Sequence, residues 1–255
     1  MCATCGCDGE HEAHEHDHGH EHGLDHGHEH PSRTVRLERD LLAKNATLAG
    51  QNRAWLARRE VVAFNLVSAP GSGKTTLLER TIAQLSGDPV VSVIEGDQET
   101  ENDALRIRAA GARALQINTG TGCHLDAHAV GHALSTLDPP RRSIVLIENV
   151  GNLVCPALFD LGERAKVVVA SVTEGDDKPL KYPHMFRASQ LLVLNKLDLL
   201  PHVRFDVEAC IARARSVNPR IRVFALSATT GEGMAAWCAW LRDRGESDRR
   251  TAAFA

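Results

Sequence analysis

Eight residues, Ser68 to Thr75, read Ser-Ala-Pro-Gly-Ser-Gly-Lys-Thr and stand between an apolar run (61–67) and a stretch of helical spacing (75–84). This arrangement predicts a phosphate-binding loop, because the glycines let backbone amides turn toward phosphate oxygens while the lysine supplies a cation and the final hydroxyl ligates magnesium. Serine stands at the first position, where glycine is usual, and its small size makes the replacement sterically mild. The loop predicts a P-loop NTPase fold. We expect the nucleotide to contact Gly71, Ser72, Gly73, Lys74, Thr75 and Thr76.

Short apolar runs alternate with stretches of helical spacing along the rest of the chain. The runs cover residues 61–67, 90–94, 114–117, 144–147, 167–171, 191–194 and 223–226. This alternation predicts an α/β domain with a mostly parallel twisted sheet flanked by helices, whose ligands bind beyond the carboxyl ends of the strands. Helices are expected over 75–84, 126–137, 206–217 and 234–241. We assign 32–60 to an N-terminal helical segment, 61–245 to the nucleotide domain and 246–255 to a flexible C-terminus.

A second motif, Asn195-Lys196-Leu197-Asp198, follows the apolar run 191–194 and predicts guanine as the base. A carboxylate such as Asp198 accepts two hydrogen bonds from guanine, whereas adenine has no matching donor pair and would leave the acid unpaired. The Lys196 stem can lie across the base, and Asn195 can fasten this segment to the phosphate loop. After the last strand, Ser227 and Ala228 can offer a backbone amide to the guanine oxygen.

Acidic residues that end predicted strands are candidates for magnesium binding and water positioning. They are Glu95 and Asp97 after the second run and Glu148 after the fourth. Gly151 can present its amide to the γ-phosphate and withdraw on hydrolysis. With Lys74, we take Asp97 and Glu148 as the catalytic candidates; the alternative is that such acids only cap helices or pair with arginine. Neither a glutamine nor an arginine finger can be assigned, so slow intrinsic GTP turnover is expected.

The first 31 residues differ in composition from the rest and predict a disordered metal-binding tail. Cys2, Cys5 and Cys7 bring three thiolates within six residues, a donor set that suits nickel or zinc, with a redox Cys-x-x-Cys as the alternative. Residues 8–30 interleave nine histidines with aspartate, glutamate and glycine, and contain too little apolar surface to fold. This stretch predicts a weak, multi-ion reservoir.

Two further segments place cysteine near the predicted nucleotide site. Cys123-His124 precedes the expected helix 126–137, and Cys155 lies seven residues after Glu148. These residues are candidate metal ligands, alone or shared between two copies of the chain, and buried free cysteine is the alternative. Cys210 and Cys238 sit among apolar neighbours in helical patterns and indicate packing.

Composition excludes several classes of function. The net charge is -4 and basic residues form no long stripe, so nucleic acid is not an expected partner. The sequence has no apolar run of membrane-spanning length, and its cysteine-rich N-terminal segment lacks the apolar stretch of a signal peptide. We therefore expect a cytoplasmic protein without a membrane anchor.

Taken together, these motifs resemble the HypB family, the nickel-inserting GTPases of nickel–iron hydrogenase maturation, over nearly the whole chain. The matching segments are Cys2–Cys7, Leu42–Asn45, Asn65–Ser68, Glu95–Gln98, Gly122–Asp126, Glu148–Pro156, Thr173–Pro179 and Asn195–Asp198. The resemblance implies a GTP-dependent homodimer, nickel at the N-terminal thiolates, and a nucleotide-responsive Ni/Zn site at Cys123, His124 and Cys155. It also implies two partners, the small zinc-containing accessory protein of the pathway and the hydrogenase large-subunit precursor. Serine at position 68 agrees with this family.

Two other functions remain open from the sequence. A related GTPase that delivers nickel to urease would carry a Cys-Pro-His element and Glu-Ser-Gly-Gly at the switch, where this chain has Cys123-His124 and Glu148-Asn149-Val150-Gly151. A passive nickel or zinc store with a vestigial nucleotide fold is favoured only by the size of the tail.

Overall fold

The structure, a computed structural model, describes residues 33–97 and 102–252. Seven parallel strands form one sheet in the order β3-β2-β4-β1-β5-β6-β7. The strands are β1 (Val62–Ser68), β2 (Val91–Asp97), β3 (Arg113–Asn118), β4 (Ile144–Glu148), β5 (Ala165–Ser171), β6 (Leu191–Asn195) and β7 (Arg222–Ala225). The predicted parallel α/β fold is confirmed, and every strand begins within two residues of its predicted start, although β2 continues three residues beyond its predicted end.

Eight α-helices connect and cover the strands in the described ranges. They are α1 (Arg33–Arg58), α2 (Lys74–Leu85), α3 (Asn102–Ala109), α4 (Ala127–Leu137), α5 (Lys178–Lys181), α6 (Pro183–Ala188), α7 (Val207–Val217) and α8 (Met234–Ala252), with 3-10 turns at Cys155–Ala157 and Leu197–His202. Asp126 and Asp206 cap α4 and α7 by accepting from the amides of Ala129 and Ala209. These caps explain why both helices begin where the sequence predicts.

The last helix is longer than predicted. It was expected over 234–241, yet α8 continues to Ala252. Arginine and glutamate after Leu241 are good helix formers, so the loss of apolar periodicity there does not end the helix.

Aliphatic side chains fill both faces of the sheet, as a parallel sheet covered by helices requires. Where α8 packs on β1 and β7, the core is instead a cluster of aromatic rings. Trp237 stacks on Trp240 at 5.8 Å between ring centroids, and Phe64 and Phe224 pack against them. Because all seven strands are parallel, their carboxyl ends lie together at one end of the sheet. The phosphate loop follows β1 at this end, so the candidate nucleotide site lies there.

Candidate nucleotide pocket and metal centre

The phosphate loop turns between β1 and α2 at the carboxyl edge of the sheet. Gly71 and Gly73 have φ of 75° and 90°, in the left-handed region that favours glycine. A Cβ atom on Gly73 would lie 2.7 Å from Asn195 Nδ2, so any larger residue there would displace the neighbouring loop. Ser72 Oγ donates to the Ala69 carbonyl at 2.9 Å and closes the turn.

Serine at the first position of the loop orients the loop lysine. Lys74 Nζ donates to Ser68 Oγ at 2.7 Å, and both side chains are buried. Burial lowers the pKa of Lys74, and the nearby carboxylates of Glu148 and Glu95 oppose that effect. The departure from the usual glycine therefore gives the ammonium a neutral partner inside the loop.

Three carboxyl groups converge beside the loop. One oxygen each from Glu95, Asp103 and Glu148 lies within 4.8 Å of the others. Burial raises the pKa of Glu95 to about 8 and that of Glu148 to about 7. Within the described ranges, Oε2 of each glutamate is buried without a hydrogen-bond partner, while Glu148 Oε1 accepts from Thr75 Oγ1 at 3.0 Å. Oxygen donors with unmet capacity are what Mg²⁺ prefers, so this set fits the expected ion.

The loop and these carboxyl groups line a cavity of about 610 Å³. Thr76 and Asp97, both expected from the sequence, line it. Asp103 and Arg106 of α3 also line it and were missed. Their i,i+3 spacing after the Glu95–Asp97 segment was a usable signal, since Arg106 bonds Asp103 at 3.0 Å.

The expected base-binding residues come together at the ends of β6 and β7. Asn195 Nδ2 donates to the Ser72 carbonyl at 3.1 Å, so this residue fastens the segment to the phosphate loop as predicted. Lys196 Nζ donates to the Gly71 carbonyl at 2.6 Å. Ser227 Oγ donates to Asp198 Oδ1 at 2.5 Å and thereby orients the carboxylate.

The two backbone amides expected to meet the guanine oxygen have partners within the protein. The backbone amide of Ala228 donates to Asn195 Oδ1 at 3.0 Å, and that of Ser227 donates to the Glu232 carbonyl at 2.9 Å. Asn195 Oδ1 also accepts from the amide of Lys196 at 2.8 Å, so the buried side-chain oxygen holds two backbone amides. Contact of either amide with a guanine oxygen stays a prediction.

The internal cysteines and histidine meet as the sequence suggested. Cys123 Sγ, His124 and Cys155 Sγ offer ligand atoms that all lie within 4.8 Å of one another, and all three residues are half-buried. Cys123 Sγ is 3.5 Å from His124 Nδ1. Burial lowers the pKa of His124, which favours the neutral imidazole that binds metals. Thiolates with an imidazole suit nickel or zinc.

An aromatic ring that sequence reasoning missed positions this triad. Phe159 packs on His124 with ring centroids 3.9 Å apart, just after the 3-10 turn that carries Cys155. Cys123 also lines the 610 Å³ cavity, so the triad and the phosphate loop share a wall. Asn152, which also lines the cavity, donates from Nδ2 to the Cys123 carbonyl at 3.3 Å.

The other predicted metal and packing residues have mixed outcomes. Cys210 and Cys238 are buried free thiols whose pKa burial raises to about 11, which confirms packing. Cys2, Cys5, Cys7 and the histidine tract lie outside the described residues. No helix of the described ranges combines the length and apolar character needed to cross a bilayer.

The parallel sheet, the loop before α2 and the cavity at the carboxyl edge define a P-loop nucleotide-binding domain. A family model described as CobW/HypB/UreG, nucleotide-binding domain, matches residues 62–225. A protein of Azotobacter vinelandii named hydrogenase maturation factor HypB is 61% identical over 84% of this chain and 71% of its own length. The chain belongs to the HypB family.

Two solved structures agree with this assignment. The crystal structure of HypB from Archaeoglobus fulgidus has a TM-score of 0.75 and 43% identity, and covers 80% of this chain and 99% of that one. HypB from Helicobacter pylori, solved in complex with nickel, has a TM-score of 0.75 and 33% identity over 81% of this chain and 97% of that one. The described fold is therefore the HypB fold.

Proposed function

We propose that this protein is a GTP-hydrolysing nickel metallochaperone that delivers nickel to the large-subunit precursor of nickel–iron hydrogenase. One observation carries the proposal: Cys123 of the metal triad lines the same cavity as Lys74 and Thr75 of the phosphate loop. A change at the γ-phosphate therefore occurs next to a metal ligand. The name of the A. vinelandii relative and the nickel in the H. pylori structure support hydrogenase maturation and nickel, respectively.

The nucleotide proposed to be bound and hydrolysed is GTP. Asp198, oriented by Ser227, selects the base, and Asn195 ties the base-binding segment to the phosphate loop. The phosphate loop holds the triphosphate through its backbone amides and Lys74. Thr75 and Glu148 would hold Mg²⁺, which would neutralise part of the phosphate charge.

Hydrolysis is proposed to be slow and to act as a timer. Asp97 and Glu148 are the candidates for positioning water at the γ-phosphate. Arg106, the arginine that lines the cavity, is already paired with Glu79 at 2.7 Å and Asp103 at 3.0 Å. An arginine held by two carboxylates is poorly placed to serve as a finger, so intrinsic turnover stays low.

The switch is the segment that follows β4. A Cβ atom on Gly151 would lie 3.0 Å from Pro70 of the phosphate loop, so this segment packs directly on the loop that changes with nucleotide. The next residue, Asn152, bonds the Cys123 carbonyl. Nucleotide state thereby alters the affinity of the Ni/Zn triad.

Three triad ligands leave one position of a tetrahedral site for a second copy of the chain, which supports a GTP-dependent homodimer. The thiolates Cys2, Cys5 and Cys7 are proposed to capture nickel first, and the histidine tract to store it. The partners proposed are the small zinc-containing accessory protein and the hydrogenase precursor, all in the cytoplasm.

Equilibrium dialysis of nickel and of zinc tests this function. The full chain is compared in its nucleotide-free, GDP and non-hydrolysable GTP forms, with the hydrogenase precursor present and absent. We expect nickel retention to differ between the two nucleotides, and the difference to vanish in Cys123→Ser but survive in Cys210→Ala, a buried thiol outside the triad. Identical isotherms in all nucleotide forms would instead indicate a passive metal store.

A further inference from the structure

Four buried polar residues lie in succession between the nucleotide cavity and the loop that carries Cys155. Asn149 Nδ2 donates to Asn65 Oδ1 at 3.2 Å, and Asn65 Nδ2 donates to Glu163 Oε1 at 3.2 Å. Lys166 Nζ lies 4.0 Å from the same carboxylate oxygen. Asn65 and Lys166 are register partners on neighbouring parallel strands, so their side chains project from the same face of the sheet.

Lys166, the last of the four residues, is bonded to backbone carbonyls of the loop that carries Cys155. Lys166 Nζ donates to the carbonyls of Pro156 at 2.6 Å and Phe159 at 3.1 Å, and lies 3.5 Å from that of Ala157. An ammonium has three protons, so these carbonyls use its full capacity. Cys155 immediately precedes this segment, and the Phe159 ring packs on His124. A shift of the ammonium therefore moves two parts of the triad.

The asparagine end contacts the other half of the triad. Asn149 Oδ1 accepts from the amide of Leu125 at 3.1 Å, one residue after His124. Asn149 also directly follows Glu148, which accepts from Thr75 of the phosphate loop. A single buried side chain is therefore bonded toward Cys123-His124 on one side and toward the Cys155 loop on the other.

The Glu163–Lys166 pair is costly for a role in stability alone. Burial raises the pKa of Glu163 and lowers that of Lys166, so both charges are disfavoured by their surroundings. Buried ion pairs usually stabilise a fold no better than apolar residues of similar volume. They do fix geometry, because breaking either partner leaves an uncompensated charge.

We propose that the four side chains Asn149, Asn65, Glu163 and Lys166 form a relay that couples the nucleotide switch to the metal triad, with Lys166 as a positioning residue for the Cys155 loop. The relay rests on the proposed function, since it transmits the nucleotide dependence of metal affinity. Asn65 does not line the nucleotide cavity, and Lys166 is not one of the three candidate metal ligands. Breaking the relay at Asn65 or at the Glu163–Lys166 pair therefore weakens coupling while leaving the residues that line the nucleotide cavity and the metal triad in place.

The experiment measures nickel affinity at the triad in GDP and in non-hydrolysable GTP. The full chain carries Cys2→Ser, Cys5→Ser and Cys7→Ser, so that nickel–thiolate charge-transfer absorption reports on Cys123 and Cys155. The histidine tract gives no such band, and Cys210 and Cys238 are buried. The ratio of the two dissociation constants is the coupling, which in allosteric proteins is about 5–150-fold.

Asn65→Leu is the principal variant, because it breaks the relay at a residue that contacts neither ligand. We expect GTP affinity to stay within about twofold and the coupling ratio to shrink at least about threefold. Glu163→Gln/Lys166→Met removes both buried charges together and serves if the single variant folds poorly. Asn218→Leu is the matched control, since Asn218 bridges the carbonyls of Phe186 and Ser189 away from the site.

The two proposals fail in different ways. A ratio of one in the unmodified relay overturns the proposed function and the relay with it. A ratio well above one that survives both relay variants overturns the relay alone. Equal loss of coupling in Asn218→Leu also overturns the relay, because the effect would then be one of general stability.

Discussion

The raised pKa of Glu95 makes a quantitative prediction about stability and pH. In the folded protein this carboxyl holds its proton up to about pH 8, whereas its ordinary value is 4.5. The folded state therefore binds more protons than the unfolded state between these values, and stability falls as pH rises through that window. At about 1.4 kcal/mol per pH unit, Glu95 costs the folded state about 3–4 kcal/mol more at pH 8 than at pH 5.

Glu95→Gln removes this penalty, because an amide of the same shape carries no proton to lose. For a domain of this size, 1 kcal/mol corresponds to about 2–4 °C in melting temperature. We therefore expect the variant to gain roughly 10 °C over the parent at pH 8 relative to its difference at pH 5. Nucleotide-free protein is melted across pH 5 to 8 by circular dichroism, with Glu208→Gln on the exposed surface as the matched control.

Magnesium provides the second arm of this test. Mg²⁺ with GDP stabilises the charged carboxylates, so the advantage of Glu95→Gln at pH 8 should shrink when both are added. A melting-temperature difference that is the same at pH 5 and pH 8 would refute the reasoning. That result would mean that the folded protein stabilises the ionised Glu95 carboxylate, although in the described ranges its Oε2 is buried without a hydrogen-bond partner.

Three further predictions concern the base, the triad and the core. Asp198→Asn should weaken GTP about 100-fold and admit xanthosine triphosphate, because the amide removes the charge and presents an N–H donor where guanine presents another; competition with a fluorescent nucleotide measures this, and unchanged GTP affinity would contradict it. Cys155→Ser should lower nickel affinity at the triad by at least the 10–100-fold typical of outer-shell losses, seen as loss of nickel–thiolate absorption. Trp237→Ala should cost about 3–5 kcal/mol in urea unfolding, because Trp237 is fully buried and its Nε1 donates to Thr81 Oγ1 at 3.0 Å.

The sequence predicted those parts of the molecule that depend on neighbours along the chain. The phosphate loop, the seven strands and the starts of α4 and α7 are local patterns, and each begins close to where its pattern indicated. Asn195 was also predicted to bond the phosphate loop, because its motif implies that contact.

Features that depend on distant pairing were not predictable in the same way. Phe159 and Lys166 acquire their roles only when β5 and the Cys155 turn meet His124 in space. The raised pKa of Glu95 follows from burial beside a second carboxyl group that comes from another strand. The hydrogen bond from the Ala228 amide to Asn195 Oδ1 likewise joins residues that are distant in the sequence, so the motif did not reveal it.

Helix α1 fixes the base of both arms of the metal triad. Asn45 accepts from the Ala127 amide at 2.8 Å and donates to the Asp160 carbonyl at 2.7 Å, and Asn52 donates to the carbonyls of Ala127 and Leu161. The anchored residues therefore lie close to the triad, with Ala127 three residues after His124 and Asp160 five residues after Cys155. Movement of the metal-binding side chains is limited by these nearby anchors. Small displacements of His124 and Cys155 must therefore suffice to weaken or strengthen the binding of an ion.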